Sequence, residues 1–138
     1  MIAYLDSSVL LRLVLGEPDR LPEWKQIEEG VCSTLVQVEC LRTLDRLHLQ
    51  GRLAAAEVVG RRESVYRVLD RLAIAEISHG VLERASAPLP LPLGTLDAVH
   101  LATAILWREV RRKDLVMATH DQALGEAARA FGFAVIGC

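Results

Sequence analysis

An α/β fold layered around a mainly parallel sheet is what this sequence predicts, and three observations predict it. Short apolar runs recur along the chain, at Ile2–Leu5, Val31–Ser33, Ala73–Ile77, Leu115–Ala118 and Phe133–Ile136. Longer segments with apolar residues at helical spacing separate them. The first run is apolar without alternation, which suits a strand covered on both faces by helices. Strands alternating with helices give a parallel sheet with right-handed crossovers. At 138 residues the chain fits a single domain, 1–138. A composition of 51% hydrophobic and 25% charged residues excludes a disordered chain.

The elements follow in order. The first strand stops at Asp6, where Asp6 or Ser7 can cap the helix that follows. Val9–Leu15 is interrupted only by Arg12, so that helix is deeply buried or shared between core and partner. Pro22 opens a short helix to about Glu29, and Gly30 stops it. After the second strand, Thr34 and Gln37 have the spacing of a capping box. The next helix reaches about Gln50, with an apolar side of Leu35, Val38, Leu41, Leu44 and Leu49, and Gly51 ends it. A second long helix runs from about Ala54 to Leu72 on a stripe of Val58, Val65, Leu69 and Leu72. Ser78 caps a short helix to about Ala85. Alternating prolines in Ala87–Gly94 forbid helix and give a stiff extended connection inside the domain. Further helices span Thr95 to about Arg111 and Gln122 to Phe131.

Four acids fall at strand-to-helix junctions: Asp6 after the first strand, Glu39 one turn into the following helix, Asp97 in the first turn after the proline stretch, and Asp121 after the fourth strand. In a parallel sheet these positions share one edge, the edge where ligands bind. Like charges gathered there are tolerable only if protonated or neutralised by a cation. Hard oxygen ligands suit Mg²⁺ or Mn²⁺, and no His-x-x-x-His or cysteine pair points to zinc. Such carboxylate-held ions serve phosphodiester hydrolysis.

Four pieces then carry a resemblance: Tyr4-Leu5-Asp6-Ser7-Ser8, Ser33–Glu39, Leu96–Ala104 and Ala118–Leu124. In this order and at these separations the chain resembles the PIN-domain ribonucleases, and most closely the VapC-type toxins of prokaryotic toxin–antitoxin pairs. The resemblance implies a three-layer α/β/α fold with a five-stranded sheet ordered 3-2-1-4-5. It implies a Mg²⁺- or Mn²⁺-dependent endoribonuclease, a cognate antitoxin that blocks the site, and a homodimer. By position, Asp6, Glu39, Asp97 and Asp121 match the family's catalytic, metal-holding acids, and Ser8 and Thr119 match supporting hydroxyls. The region from Gly51 to Leu93 matches in pattern only.

Other features bound the reading. Arg42 and Arg46 share a helical side with Glu39 and are candidate RNA contacts; the plainer readings are a solvated face and a Glu39–Arg42 ion pair. His100, one turn past Asp97, is either a satisfied structural histidine or a contact to substrate or a neighbouring carboxylate. His120 is expected to be exposed, and Trp24 and Trp107 are either base-stacking or packing residues. The net charge of −2 supplies no basic field for nucleic acid. Cys32, Cys40 and Cys138 read as reduced thiols. With no apolar run of spanning length and no signal-peptide pattern, a cytoplasmic protein away from membranes is expected. Two alternatives stand beside the nuclease. One is an aspartyl-phosphate phosphotransferase or phosphatase, which wants a second Asp where Ser8 stands; the other is a catalytically inactive PIN-like interaction module.

Overall fold

The computed structural model describes residues 1–138. Five parallel strands form one sheet: β1 (Ile2–Leu5), β2 (Glu29–Ser33), β3 (Ala73–Ala75), β4 (Val116–Ala118) and β5 (Val135–Ile136), in the spatial order β3-β2-β1-β4-β5. β1 is central, with Ala3 opposite Gly30 on one side and Val116 on the other. Six helices connect the strands: α1 (Ser7–Leu15), α2 (Leu35–Leu49), α3 (Ala55–Leu69), α4 (His79–Ser86), α5 (Thr95–Arg111) and α6 (Gln122–Ala130). No helix is long and apolar enough to cross a membrane.

Side-chain alternation on β1 divides the interior in two. Ala3 and Leu5 face a core shared with Val9, Leu10 and Val14 of α1, Val36, Cys40 and Leu44 of α2, and Val65 and Leu69 of α3. Tyr4 faces the other way, into a core with Leu101, Ala104 and Ile105 of α5 and Leu124, Ala127 and Ala128 of α6. This is the three-layer arrangement, with the helices docked by their apolar faces. α5 departs from a single stripe, because Ala98–Ile105 are buried without a break. The sheet covers one side of α5. On its other sides lie Val81 of α4, packed with Val99 and Ala102, and Leu89, Leu91 and Leu93 of the proline stretch.

Several local expectations are corrected. The buried side of α2 is Val36, Cys40 and Leu44, while Val38 is 55% and Leu49 76% exposed. Leucine and valine occur at almost every angle of this helix, so composition alone does not fix its phase. Thr34 makes no side-chain cap; the Ser33 hydroxyl accepts from the Leu35 N–H at 3.0 Å instead. The turn after Pro22 is a 3₁₀ helix ending at Gln26. Gly30 is not a helix stop. It lies inside β2, where an added Cβ would sit 2.5 Å from Leu72 Cδ2. Leu72, in the turn between α3 and β3, thus packs directly over the strand at a position with no side chain. Ser78 caps α4 as expected, accepting from the Val81 N–H at 3.2 Å.

Candidate active site

Asp6 ends β1 and begins α1, and its side chain does two jobs. Oδ1 accepts from the backbone N–H groups of Ser8 (3.0 Å) and Val9 (3.3 Å) and from the Ser8 hydroxyl. These bonds satisfy the open donors of the first helical turn. Oδ2 accepts from the Thr119 hydroxyl at 2.7 Å. Asp6 is 4% exposed, and burial raises its pKa above the ordinary value against the lowering pull of the Ser8 and Thr119 hydroxyls.

Ser8 and Thr119 bind two loops into one frame. Ser8 Oγ accepts from the His120 N–H at 2.9 Å, and Thr119 Oγ1 accepts from the Asp121 N–H at 3.0 Å. Each hydroxyl therefore donates to Asp6 and accepts from the segment after β4. Asp121 caps α6 through Oδ1, which takes the Leu124 N–H at 2.9 Å, leaving Oδ2 without a partner. His120 is half-buried rather than exposed: Nδ1 lies 2.9 Å from the Gly137 carbonyl, and Nε2 is buried without a partner.

Asp97, in the first turn of α5, makes no hydrogen bond or ion pair. Its carboxyl is raised above the ordinary value, first by burial and then by the charges of Asp121, Asp6 and Glu39, with His100 opposing. Asp6, Glu39 and Asp121 thus each lie within electrostatic reach of Asp97, with the four acids at the carboxyl ends of β1 and β4 and the starts of α2 and α5. Glu39 is not paired with Arg42, whose guanidinium bonds Asp45 at 2.9 Å. Glu39 Oε1 meets His100 Nε2 at 2.6 Å, and His100 Nδ1 meets the Tyr4 hydroxyl at 2.9 Å. Tyr4 is fully buried, and burial first of all holds its phenol well above the ordinary pKa. Nothing local in the sequence marks the Glu39–His100 pair, 61 residues apart. The only hint is that His100 shares a face of α5 with Asp97.

Arg42 and Arg46 are both exposed on α2, and Arg46 bonds Thr43 at 3.2 Å. Trp24 and Trp107 are half-buried and pack against the two cores.

The donor chemistry fits a hard divalent cation. Glu39, Asp97 and Asp121 each keep an uncommitted carboxylate oxygen, and Asp6 Oδ2 has accepted only one proton donor. No three acidic, histidine or cysteine side chains close directly into a cage for an ion.

Comparison with known proteins agrees with this architecture. The chain is 34% identical over 137 residues to ribonuclease VapC46 of Mycobacterium tuberculosis, covering 96% of this chain and 95% of that one. It is 31% identical to ribonuclease VapC47 of the same species, covering 94% and 92%. Among solved structures, VapBC2 from Rickettsia felis bound to a promoter DNA fragment superposes with a TM-score of 0.68 at 16% identity, covering 98% of this chain and 97% of that one. A toxin–antitoxin complex from Klebsiella pneumoniae gives 0.64 at 21% identity, covering 86% of each. Residues 3–130 match the PIN domain. The chain belongs to the PIN-domain family, among its VapC members.

Proposed function

We propose that this chain is a Mg²⁺- or Mn²⁺-dependent endoribonuclease acting, as one unit over residues 1–138, as the toxin of a toxin–antitoxin pair in the cytoplasm. The observation that carries the reading is the shared edge of Asp6, Glu39, Asp97 and Asp121, where the Asp97 carboxyl is raised first by burial and then by the charges of the other three. The names of the VapC relatives and of the toxin–antitoxin complexes support it.

In this reading Asp97, Glu39 and Asp121 offer free oxygens to the ion, and Asp6 offers the remaining capacity of Oδ2. When bound, the ion supplies an acidified water as nucleophile and positive charge against the scissile phosphate. Ser8 and Thr119 keep the Asp6 carboxylate from turning. Arg42 and Arg46, exposed on the helix that carries Glu39, are the proposed contacts to RNA phosphates.

The aspartyl-phosphate alternative loses support from the burial of Asp6 and the four donors already on its oxygens. A nucleophilic carboxylate needs an oxygen open to the phosphorus.

The proposed antitoxin contributes an apolar helix beside α1. A cavity of about 560 Å³ lined by Val9, Leu13, Leu21, Trp24 and Lys25, among others, gives it a seat. A homodimer is the proposed assembly.

The test is cleavage of a mixture of purified ribosomal, transfer and messenger RNA by the isolated chain. Cleavage is expected with Mg²⁺ or Mn²⁺, none with EDTA, and at least about a hundredfold loss in Asp6→Asn and Asp97→Asn, comparable with removal of a major electrostatic group from an active site. Undiminished cleavage in EDTA, or by both variants, would leave an interaction module as the better reading.

A further inference from the structure

Tyr4, His100 and Glu39 come from β1, α5 and α2, three separate layers of the fold, yet they form one hydrogen-bonded line. The Tyr4 hydroxyl lies 2.9 Å from His100 Nδ1, and His100 Nε2 lies 2.6 Å from Glu39 Oε1. The Tyr4 and His100 rings meet edge to face, with centroids 5.9 Å apart and planes at 71°. Tyr4 and His100 are buried, and the Glu39 side chain is 17% exposed.

The direction of the line follows from the chemistry of its ends. An ionised carboxylate has no proton to give, so Nε2 must donate to Oε1. In a neutral imidazole Nδ1 is then a bare acceptor, and the phenol, which always carries a proton to donate, fills it. One tautomer satisfies all three groups. The other sets a lone pair against the carboxylate and leaves the phenol facing an N–H.

We infer that Tyr4 and His100 are positioning residues for Glu39, fixing one carboxylate oxygen so that the other stays free toward the acidic edge. The inference rests on the reading of Glu39 as a metal-holding residue. Glutamate has three side-chain torsions, and Glu39, not fully buried on α2, would otherwise keep some of that freedom. His100 also sits one turn from Asp97 on the same face of α5, so a single helix both supplies one acid and steadies another. Partners that orient a metal-binding side chain in this way typically change metal affinity about 10- to 100-fold when removed.

Two measurements test this on the intact chain. In the metal-free protein, ¹⁵N spectra of the His100 ring should show the Nε2–H tautomer, and Tyr4→Phe should shift Nδ1 toward the value of an unbonded acceptor. Mn²⁺ titrations should then show about 10- to 100-fold weaker binding in both Glu39→Gln and His100→Leu, with the double variant no weaker than the worse single one. His100→Gln should recover to within about threefold of the parent, because its amide N–H reaches the place of Nε2; Tyr4→Phe should fall between. If His100→Leu is unfolded by circular dichroism, the pair His100→Gln and Tyr4→Phe carries the comparison. A Nδ1–H tautomer, parental affinity in His100→Leu, or additive losses in the double variant would overturn the positioning role while leaving the acidic site standing. A parent chain that binds Mn²⁺ no better than Glu39→Gln would instead remove the metal site itself.

Discussion

Replacing Thr119 by valine keeps the shape of a fully buried side chain and deletes one oxygen that makes two bonds. Thr119 Oγ1 donates to Asp6 Oδ2 at 2.7 Å and accepts from the Asp121 N–H at 3.0 Å. A hydrogen bond to a charged group contributes about 1.5–3 kcal/mol, and an ordinary one about 0.5–1.5. The Asp121 end of the loop is half-exposed, so its freed N–H can find water and costs only the smaller figure. The sum is about 2–4.5 kcal/mol near neutral pH, a large part of the ~5–15 kcal/mol that holds a typical domain together. For a chain of this size that corresponds to a fall in Tm of roughly 6–15 °C. The deficit should shrink on acidification, because a protonated Asp6 accepts only an ordinary bond from Thr119. The assay is urea unfolding of parent and variant, free of metal, followed from pH 8 downward through the raised range of the Asp6 carboxyl. A variant within about 0.5 kcal/mol of the parent, the range of an ordinary surface substitution, or a deficit that does not change with pH, would refute the view of Thr119 as the clasp on an ionised Asp6.

Other consequences can be measured in the same way. Burial, foremost, raises the carboxyls of both Asp6 and Asp97. The folded chain therefore binds their protons more tightly than the unfolded chain does, and metal-free stability should fall as pH rises from the ordinary carboxylate range of about 4 through the raised folded values. Asp97→Asn, which breaks no hydrogen bond, should flatten that slope and raise metal-free stability at pH 8, as read by urea midpoints. Mn²⁺ should bind more tightly as pH rises over the same window and release protons, visible as buffer-dependent heats in calorimetry. Leu44→Ala should cost about 2–5 kcal/mol as a core truncation, whereas Val38→Ala should lie within about 0.5 kcal/mol of the parent; equal losses would place the buried face of α2 elsewhere. Gly137→Ala should destabilise the chain and shift the amide resonances of Thr119 and His120. At a φ of +100° an added Cβ would lie 2.4 Å from the Thr119 carbonyl oxygen.

The layering and the five strands were legible because each strand is a bounded apolar run and each junction carries a polar stop; their order came only from the resemblance to the PIN-domain ribonucleases. Asp6 and Asp121 were legible twice over, since one carboxylate both caps a helix and faces the edge. What was not legible has physical causes. In α2 the apolar residues Leu35, Val36, Val38, Leu41, Leu44, Leu47 and Leu49 wrap most of the helix. The true phase is set by a small residue, Cys40, that a search for large side chains passes over. Gly30 resembles a helix terminator in sequence, but its role is the approach of Leu72, known only once α3 is docked. His100 and Glu39 meet because α5 and α2 start at the same edge, and no local pattern encodes a contact between side chains so far apart. His120 is half-buried rather than exposed because the carbonyl that holds its ring belongs to Gly137, beyond the last strand.

The distribution of positive charge explains why the acidic edge calls for something from outside the chain. The side chains of Asp6, Glu39, Asp97 and Asp121 form no ion pair with any lysine or arginine. Arg12 is spent on Glu17 and Asp19, Arg42 on Asp45, Arg67 on Glu63 and Arg84 on Glu109. Arg61, Arg108 and Arg129 bond the carbonyls of Val14, Phe131 and Cys138. Inside the fold, Asp6 is offset by neutral donors and Glu39 by an imidazole, while Asp97 has nothing. Neutral donors lower the cost of one buried charge but do not cancel repulsion among several. A divalent ion would cancel it, and so would a lysine or arginine from a bound partner. Both would seek the same uncommitted oxygens, so in the proposed toxin the two should compete: raising Mn²⁺ should weaken a partner that inserts a basic side chain, and should leave unaffected one that only covers α1.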